Sequence, residues 1–496
     1  MSEKGNKISE AVAGMTFNES LIFERGAPGR FGVCTLEGDL DSTKALLPDA
    51  YRRKELSFPE VTEPEVVRHY TRLSQWNISV DTGFYPLGSC TMKYNPKVNE
   101  DLASLEGLAQ IHPYQPAALV QGALELMYEL ERILAEVTGM DAVTLQPGAG
   151  AHGELTGMLM VRAYHQHKGN PRHKVLIPDS AHGTNAATCA LCGFQVIEIP
   201  SDQRGMMSSL TLESHMDEDV AAIMLTNPNT LGLFEEDILE LTKIVHQKGG
   251  LVYCDGANLN ALTGVARLGD MGVDLVHINL HKTFSTPHGG GGPGSGPLAV
   301  KSNLIPYLPI PRVEKRDTDF VLDEDHPRSI GRVKAFYGHF GVLVKAYAYL
   351  LTMGPQGLKE ATEVAVVNAN YIRESLKDLY HLPYDRICKH ECVFSDRNHS
   401  SKGVQTLDIA KRLMDYGFHP PTIYFPLIVK GALMVEPTET ESKETLDRFI
   451  EAMRRIAEED PEVVLSAPHV THLSRLDEVT AARKPTFVAP ESTKGS

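Results

Sequence analysis

The chain has 496 residues, 42% of them hydrophobic and 23% charged, with 48 basic against 64 acidic side chains and a formal net charge of −16. That balance argues against a general nucleic-acid or anionic-membrane binder, and no uninterrupted apolar stretch is long enough to span a bilayer. The length suits two or three domains with proper cores, and a start reading "MSEKGNKISEAVAG", without the charged-then-apolar order of a signal peptide, sets the expectation of a cytoplasmic protein.

In chain order, residues 1–80 mix polar segments with Pro and Gly, as in "APGRFGV" and "SFPEVTEPEVV", and read as an N-terminal arm. "QPAALVQGALELMYELERILAEVTG" reads as a long amphipathic helix with Leu130, Ile133, Leu134 and Val137 on one face and Gly139 as its stop. The period then changes. Short apolar runs recur ("AVTLQP", "KVLIP", "FQVIEIP", "VAAIMLTNP", "LVYCDGA", "VDLVHINL", "GPLAV"), several separated by helical patterns. Such alternation predicts a mainly parallel sheet covered on both faces, a doubly wound α/β domain over about 140–300. We place it in a large domain spanning 81–330. Helical patterns over 334–353 and 356–379, then strands near "ECVFSD" and "ALMVEP", predict a smaller C-terminal α+β domain over 331–470, followed by a polar tail over 471–496.

Seven cysteines are too scattered for a disulfide framework. Cys189 and Cys192 form a CxxC, and Cys388 and Cys392 flank His390, but neither group has the matching ligands of a metal site. They read as buried or incidental thiols, and no metal is expected.

Ligands of open α/β sheets bind at the carboxyl ends of the strands. Polar side chains beside small residues follow five of the predicted strands: His152; His182, Thr184 and Asn185; Asn229 and Thr230; Asp255 and Asn258; His281 and Lys282. Asp255 and Lys282 fall on neighbouring strands. A carboxylate beneath a heteroaromatic ring keeps its nitrogen protonated, and a lysine joins an aldehyde as a Schiff base, the division of labour that pyridoxal phosphate requires. "QPGAGAHGE" adds a small-residue turn into a helix N-terminus, where amide groups and the helix dipole favour a phosphate, and His152 follows closely enough to lie against a pyridine ring. Singly, each feature has a plainer reading: a salt bridge, a tight turn, a structural histidine. Their order along the chain favours the cofactor. A nucleotide site is disfavoured, because "GGGGPGSG" follows a late strand and no GxxxxGK[ST] occurs.

The segments "FYPLGSCTMKYNP", "IHPYQP", "LQPGAGAHGE", "AHGTN", "TNPNTLGLFE", "DGANLNA", "NLHKTF", "HGGGGPGSGP" and "DYGFHPPTIYFPL", in this order from about 65 to 460, resemble the P-protein family of the glycine cleavage system. The length resembles the second, C-terminal and cofactor-bearing subunit of the two-chain bacterial form. The resemblance implies the pyridoxal phosphate-dependent transferase fold type I, with Lys282 as the Schiff-base lysine, Asp255 as partner of the pyridinium nitrogen and His152 as the ring-stacking residue. It implies a phosphate on Ala149 and Gly150 with help from His281, and His182, Thr184 and Asn185 lining the ring.

The activity it implies is glycine decarboxylation with CO2 release and transfer of the aminomethyl group to the lipoyl arm of the H-protein, a net oxidoreduction. A companion P-protein subunit 1, in an α2β2 heterotetramer, is implied as partner. Ala186 stands where the family pattern has proline, and Cys254 where a bulkier residue is common; neither removes a chemical group. The segment "PLGSCTMK", with Ser89, Cys90, Thr91 and Lys93, reads either as a surface turn of the arm or as a loop reaching a pocket. Arg312 and Arg332 are candidates for the substrate carboxylate, and "HGGGGPGSG" is expected to turn compactly beside the cofactor. The competing readings are another fold-type-I enzyme, such as an amino-acid decarboxylase or aminotransferase, and a non-catalytic subunit of the same assembly, against which Lys282 and Asp255 count.

Overall fold

The computed structural model describes residues 19–32, 48–52, 58–289, 294–471 and 473–487. Contacts divide the chain into two units, residues 1–78 with 472–496, and residues 79–471. In the first, the helix Glu63–Ser74 carries Pro64 in its opening turn, and Glu65 accepts from the Thr62 N–H at 2.8 Å, satisfying a donor that the helix itself leaves unpaired. The buried Glu19 carboxylate accepts from His69 Nδ1 at 2.8 Å and Arg72 at 3.2 Å.

The second unit is built on seven strands: β1 (Ala142–Thr144), β2 (Lys174–Pro178), β3 (Gln195–Ile199), β4 (Val220–Thr226), β5 (Leu251–Gly256), β6 (Leu275–Ile278) and β7 (Leu298–Val300). Their order is β1-β7-β6-β5-β4-β2-β3. The pairs from β3 through β6 are parallel, and β7 runs antiparallel to both neighbours. The expected mainly parallel sheet is therefore present with one reversed strand. Side chains alternate between the faces. Val252 and Cys254 of β5 join the core beneath the helix Gln121–Thr138, whose Leu124, Met127, Leu130 and Leu134 are fully buried. Tyr253 joins the opposite core with Met158 and Val161 of the helix Gly150–His167. Each buried Leu or Met contributes about 1.5–3 kcal/mol. Gly139, at φ 70°, ends the first of these helices as the sequence predicts.

Three glycines set how closely the second helix approaches the sheet. A Cβ on Gly150 would stand 2.6 Å from Asn279 Oδ1, one on Gly153 2.9 Å from His277 Cβ, and one on Gly157 2.3 Å from the Tyr253 ring. Their i, i+3, i+7 spacing makes one side-chain-free face, so the helix N-terminus sits directly over the ends of β5 and β6.

The two predicted helices after 334 join as one element, Phe340–Leu376, broken at Gly354 (φ 60°) before Pro355. Its first half contributes Leu343 and Leu350 to the large core and its second half Ile372 and Leu376 to a separate one. The latter core packs on a three-stranded sheet, β10 (Cys392–Ser395), β12 (Ala432–Val435) and β11 (Thr422–Ile423). A hairpin, β8 (Arg312–Arg316) and β9 (Asp319–Asp323), escaped the sequence reading because "RVEKR" carries almost no apolar signal. No helix among the described residues is long and apolar enough to cross a membrane.

Two outcomes follow from this packing. Gly157→Ala forces a methyl against Tyr253 and is expected to lower stability by about 1–3 kcal/mol, read by denaturant melting. Burial pushes the Glu131 carboxyl up to about 8 despite the hydrogen bond from Tyr337 Oη. Since the folded chain holds this proton more tightly than the unfolded chain, its stabilising contribution is full below pH 4.5 and is lost as the pH rises towards 8. Thermal melts across that window are expected to decline less for Glu131→Gln than for wild type.

Candidate active site

The carboxyl ends of β2, β4, β5 and β6, together with the N-terminus of the Gly150–His167 helix, surround a cavity of about 160 Å³. Gly150, Ala151 and Glu154 line it from the helix, His182 and Thr184 from beyond β2, Asn229 and Thr230 from beyond β4, Asp255 and Asn258 from β5, and Asn279 and Lys282 from beyond β6. Ser89, His390 and Glu391 close it from segments far away in sequence.

Asp255 is the buried centre of this arrangement, at 6% exposure. Its Oδ1 lies 3.1 Å from His277 Nε2 and accepts from the Ala257 N–H at 3.0 Å, while Oδ2 accepts from Asn185 Nδ2 at 2.9 Å. Burial alone would raise its pKa. The opposing His277, with the hydrogen bonds from His277, Asn185 and Ala257, outweighs burial and holds the carboxyl well below the usual range. His277 is paired with Asp255 in the β5–β6 register, and its Nδ1 lies 3.0 Å from Tyr253 Oη.

Lys282 follows the end of β6, and its Nζ donates to the Ser89 carbonyl at 2.7 Å. Three histidines around it are held neutral. Burial, with the Lys282 charge contributing, lowers His390 to about 3, His281 to about 3 and His288 to about 4; the neighbouring His288 also acts on His281. Glu154 accepts from Thr184 Oγ1 at 2.8 Å and Thr188 Oγ1 at 3.0 Å. His182 caps the helix Gly183–Leu191 through its Nδ1, and its ring meets Phe425 edge-on with centroids 5.5 Å apart.

Of the residues singled out from the sequence, Lys282, Asp255, Gly150, His182 and Thr184 line the cavity, as do Asn229, Thr230 and Asn258. Asn185 stands behind it, bonded to Asp255. Ala149 is the extended N-cap of the 150–167 helix. His152 does not face the cavity: its Nδ1 accepts from the Gly148 N–H at 3.2 Å and its Nε2 donates to the Val333 carbonyl at 3.0 Å. The expectation that His152 lies against a ring is therefore corrected, since one residue into a helix changes the facing direction by about 100°; of the two histidines in the turns after β1 and β2, the one on the cavity wall is His182. His281 likewise faces away, accepting from the Ser295 N–H at 3.2 Å.

Arg312 donates to the Ile305 carbonyl and Arg332 pairs with Glu324, so neither reaches the cavity. Of "HGGGGPGSG", residues 290–293 lie outside the described residues; Gly296 passes the helix N-terminus so closely that a Cβ would stand 2.0 Å from the Ala149 carbonyl oxygen. The CxxC thiols are buried and pushed up, Cys189 to about 12 and Cys192 to about 11, which leaves them inert.

His277, Glu154, Asn279 and Glu391 were missed, and His390 was weighed only as a metal-ligand candidate between Cys388 and Cys392. His277 was readable as a histidine in register with Asp255 on a wholly buried strand. His390 and Glu391 had no local signal, because they arrive from the second sheet.

Thr226 Oγ1, Asn279 Oδ1 and His390 Nδ1 are buried on the cavity wall without a protein partner, as is Asn185 Oδ1 behind it. Unmet buried polar atoms are costly, about 1–3 kcal/mol each, and mark a wall shaped for a polar ligand. A helix N-terminus for a phosphate, a retained carboxylate for a ring nitrogen and a lysine amine for an aldehyde fit pyridoxal phosphate.

Residues 33–313 match the family model of the glycine cleavage system P-protein, and residues 361–472 that of the glycine dehydrogenase C-terminal domain. A probable glycine dehydrogenase (decarboxylating) subunit 2 of Caldanaerobacter subterraneus subsp. tengcongensis is 58% identical over 473 residues, covering 94% of this chain and 98% of its own. The corresponding protein of Halalkalibacterium halodurans is 59% identical over 478 residues, covering 95% and 98%. Among solved structures, an inhibitor-bound glycine decarboxylase (P-protein) superposes with a TM-score of 0.70 at 22% identity, over 83% of this chain and 93% of that one. A cysteine desulfurase from Escherichia coli gives 0.56 at 16% identity, over 76% and 94%. These two structures show the fold, that of fold-type-I pyridoxal phosphate enzymes. Since one model spans more than half of the chain and relatives at well above 30% identity span nearly all of it, the chain belongs to the glycine cleavage system P-protein family, as subunit 2 of the pyridoxal phosphate-dependent glycine dehydrogenase that cleaves and decarboxylates glycine.

Proposed function

We propose that the cavity beneath the Gly150–His167 helix is where this subunit decarboxylates glycine, and that the aminomethyl group left behind passes to the lipoyl arm of an H-protein. The observation that carries this reading is the placement of Asp255 and Lys282 at the ends of adjacent strands, on the wall of one cavity, under a helix N-terminus. Lys282 Nζ would hold the cofactor, Asp255 its ring nitrogen, and the free N–H groups of Gly150 and Ala151 its phosphate. His182 replaces His152 as the imidazole against the ring. Pyridoxal phosphate supplies a sink for the electron pair left when CO2 departs.

The protein's own part is placement and charge. Asp255 stays ionised because three donors hold it, and so would keep a proton on the ring nitrogen of a bound cofactor. Asn185 and His277 fix its orientation, and Thr184 is fixed in turn by Glu154. No arginine lines the cavity among the described residues, so the glycine carboxylate meets neutral donors, such as the unpartnered Thr226 Oγ1 or His390 Nδ1, rather than a bidentate guanidinium. A weak grip suits a group that must leave as neutral CO2, because a strong cation would stabilise the carboxylate more than the transition state. We further propose a companion subunit 1 in an α2β2 assembly, consistent with the subunit-2 relatives.

Lys282→Ala is expected to abolish the yellow absorbance that wild type develops with pyridoxal phosphate; a colourless wild type with cofactor supplied would sink the reading. Asp255→Asn should bind the cofactor but lose on the order of 10²–10³ in glycine-dependent bicarbonate exchange assayed with lipoylated H-protein and subunit 1. His182→Ala is expected to weaken cofactor affinity in a fluorescence titration, whereas His152→Ala changes melting temperature and leaves that affinity in place. The opposite pattern would return the ring to His152.

A further inference from the structure

The segment "PLGSCTMK" meets two buried carboxylates that stand side by side at one end of the C-terminal sheet, where Cys392 of β10 pairs with Val435 of β12. Glu391, immediately before β10, accepts from the Ser89 N–H at 2.8 Å. Glu436, immediately after β12, accepts from the Thr91 N–H at 3.0 Å, from Thr91 Oγ1 at 2.8 Å and from Asn258 Nδ2 at 2.8 Å. The two carboxylates are 3% and 0% exposed, an expensive way to supply acceptors unless the geometry they impose is needed.

What they hold is a turn whose own backbone bonds, Cys90 N–H to the Leu87 carbonyl at 3.4 Å and Lys93 N–H to the Thr91 carbonyl at 3.0 Å, leave the Ser89 and Thr91 N–H groups to the two carboxylates. Ser89 and Thr91 stand at φ 64° and 51°, in the left-handed region that residues with a Cβ enter only at a cost. The opposite side of the same turn meets the active site, where the Ser89 carbonyl accepts from Lys282 Nζ at 2.7 Å. Two further bonds tie the segment down: Thr422 Oγ1 donates to the Gly88 carbonyl, and Lys93 Nζ donates to the carbonyl of Thr283, the residue after Lys282, both at 2.7 Å. Without such an acceptor a lysine's four-carbon stem samples many rotamers.

We propose that Glu391 and Glu436 are positioning residues for the reaction: they clamp the Ser89–Thr91 turn in its left-handed conformation and, through the Ser89 carbonyl, fix Lys282 Nζ inside the cavity. The requirement is for a hydrogen-bond acceptor at Glu391 rather than for its charge. Burial, then the neighbouring Glu436, pushes the Glu391 carboxyl well above the usual range, which is compatible with an acid that serves through its carbonyl oxygen. This clamp joins the second sheet to the lysine of the first, so the cavity is complete only when both cores are folded. The inference rests on Lys282 as the cofactor-holding residue.

The test compares full-length wild type, Glu391→Ala, Glu391→Gln and the double variant Ser89→Gly with Glu391→Ala, each with and without pyridoxal phosphate. Acylation of Lys282 by a small anhydride, mapped by peptide mass spectrometry, reads the lysine directly, and amide exchange of the 86–93 peptide reads the turn. Glu391→Ala is expected to speed both by about tenfold or more and to weaken cofactor binding. Glu391→Gln, which keeps an acceptor for the Ser89 N–H, should stay near wild type. Ser89→Gly should restore much of the loss, since glycine takes positive φ freely. Unchanged Lys282 labelling in Glu391→Ala, or a Glu391→Gln variant as impaired as Glu391→Ala, would overturn the proposal. If Glu391→Ala does not fold, wild-type exchange decides: Ser89 and Thr91 amides as slow as those of β12 support the clamp, and amides as fast as an open loop refute it. Borohydride fixation of the cofactor on wild-type Lys282 checks the lysine assignment separately.

Discussion

A single carboxylate at the end of a central strand organises this molecule. Asp255 is buried where an unpaired charge is prohibitive, and its ionised state depends on donors arriving from three directions: His277 on the adjacent strand, Asn185 from the helix after β2, and its own turn through the Ala257 N–H. His277 is held in turn by Tyr253, whose ring lies on the same face of the sheet. Room for that ring exists only because Gly157 leaves the covering helix without a side chain there. The demands of one charge thus propagate through a strand pair into helix packing, and the same close packing brings the helix N-terminus over the cavity.

The cavity is also a meeting point of two cores. The kinked helix Phe340–Leu376 contributes to both, its break at Gly354 and Pro355 letting each half pack on a different sheet. From the second sheet come His390 and Glu391, which complete a wall that the first sheet leaves open. Around Lys282, His390, His281 and His288 are neutral and Glu391 is used as an acceptor, while the proton-holding His277 is spent on Asp255. Such a wall suits a substrate with no side chain to grip, for which selection must come from enclosure and placement.

Particular residues show how far local sequence reached. The apolar run "LVYCDGA" as a strand buried on both faces, the Gly139 stop and the strand-end positions of Asp255 and Lys282 follow from periodicity and turn chemistry, and the structure has them so. His152 and His182 show the limit. Both follow strands in glycine-bearing turns, yet one ring points to Val333 and the other to the cavity. Which way a side chain faces in the first turn of a helix depends on exactly where that helix begins, and a boundary uncertain by one residue moves it by about 100°. Arg312 was drawn from its polar context and turned out to serve the Ile305 carbonyl instead.

What the sequence by itself determined was the class of sheet, the order of chemical groups along it and the strand ends on which they fall, because hydrophobic period and turn composition are local properties. What only the tertiary structure decided was which of those groups share one cavity and what closes it. Ser89 is 193 residues from Lys282, its hydrogen-bonding partner, and 302 from Glu391. Contacts over such separations are set by how two cores dock, and their energy is gained only once the chain between them has folded. No local pattern records them.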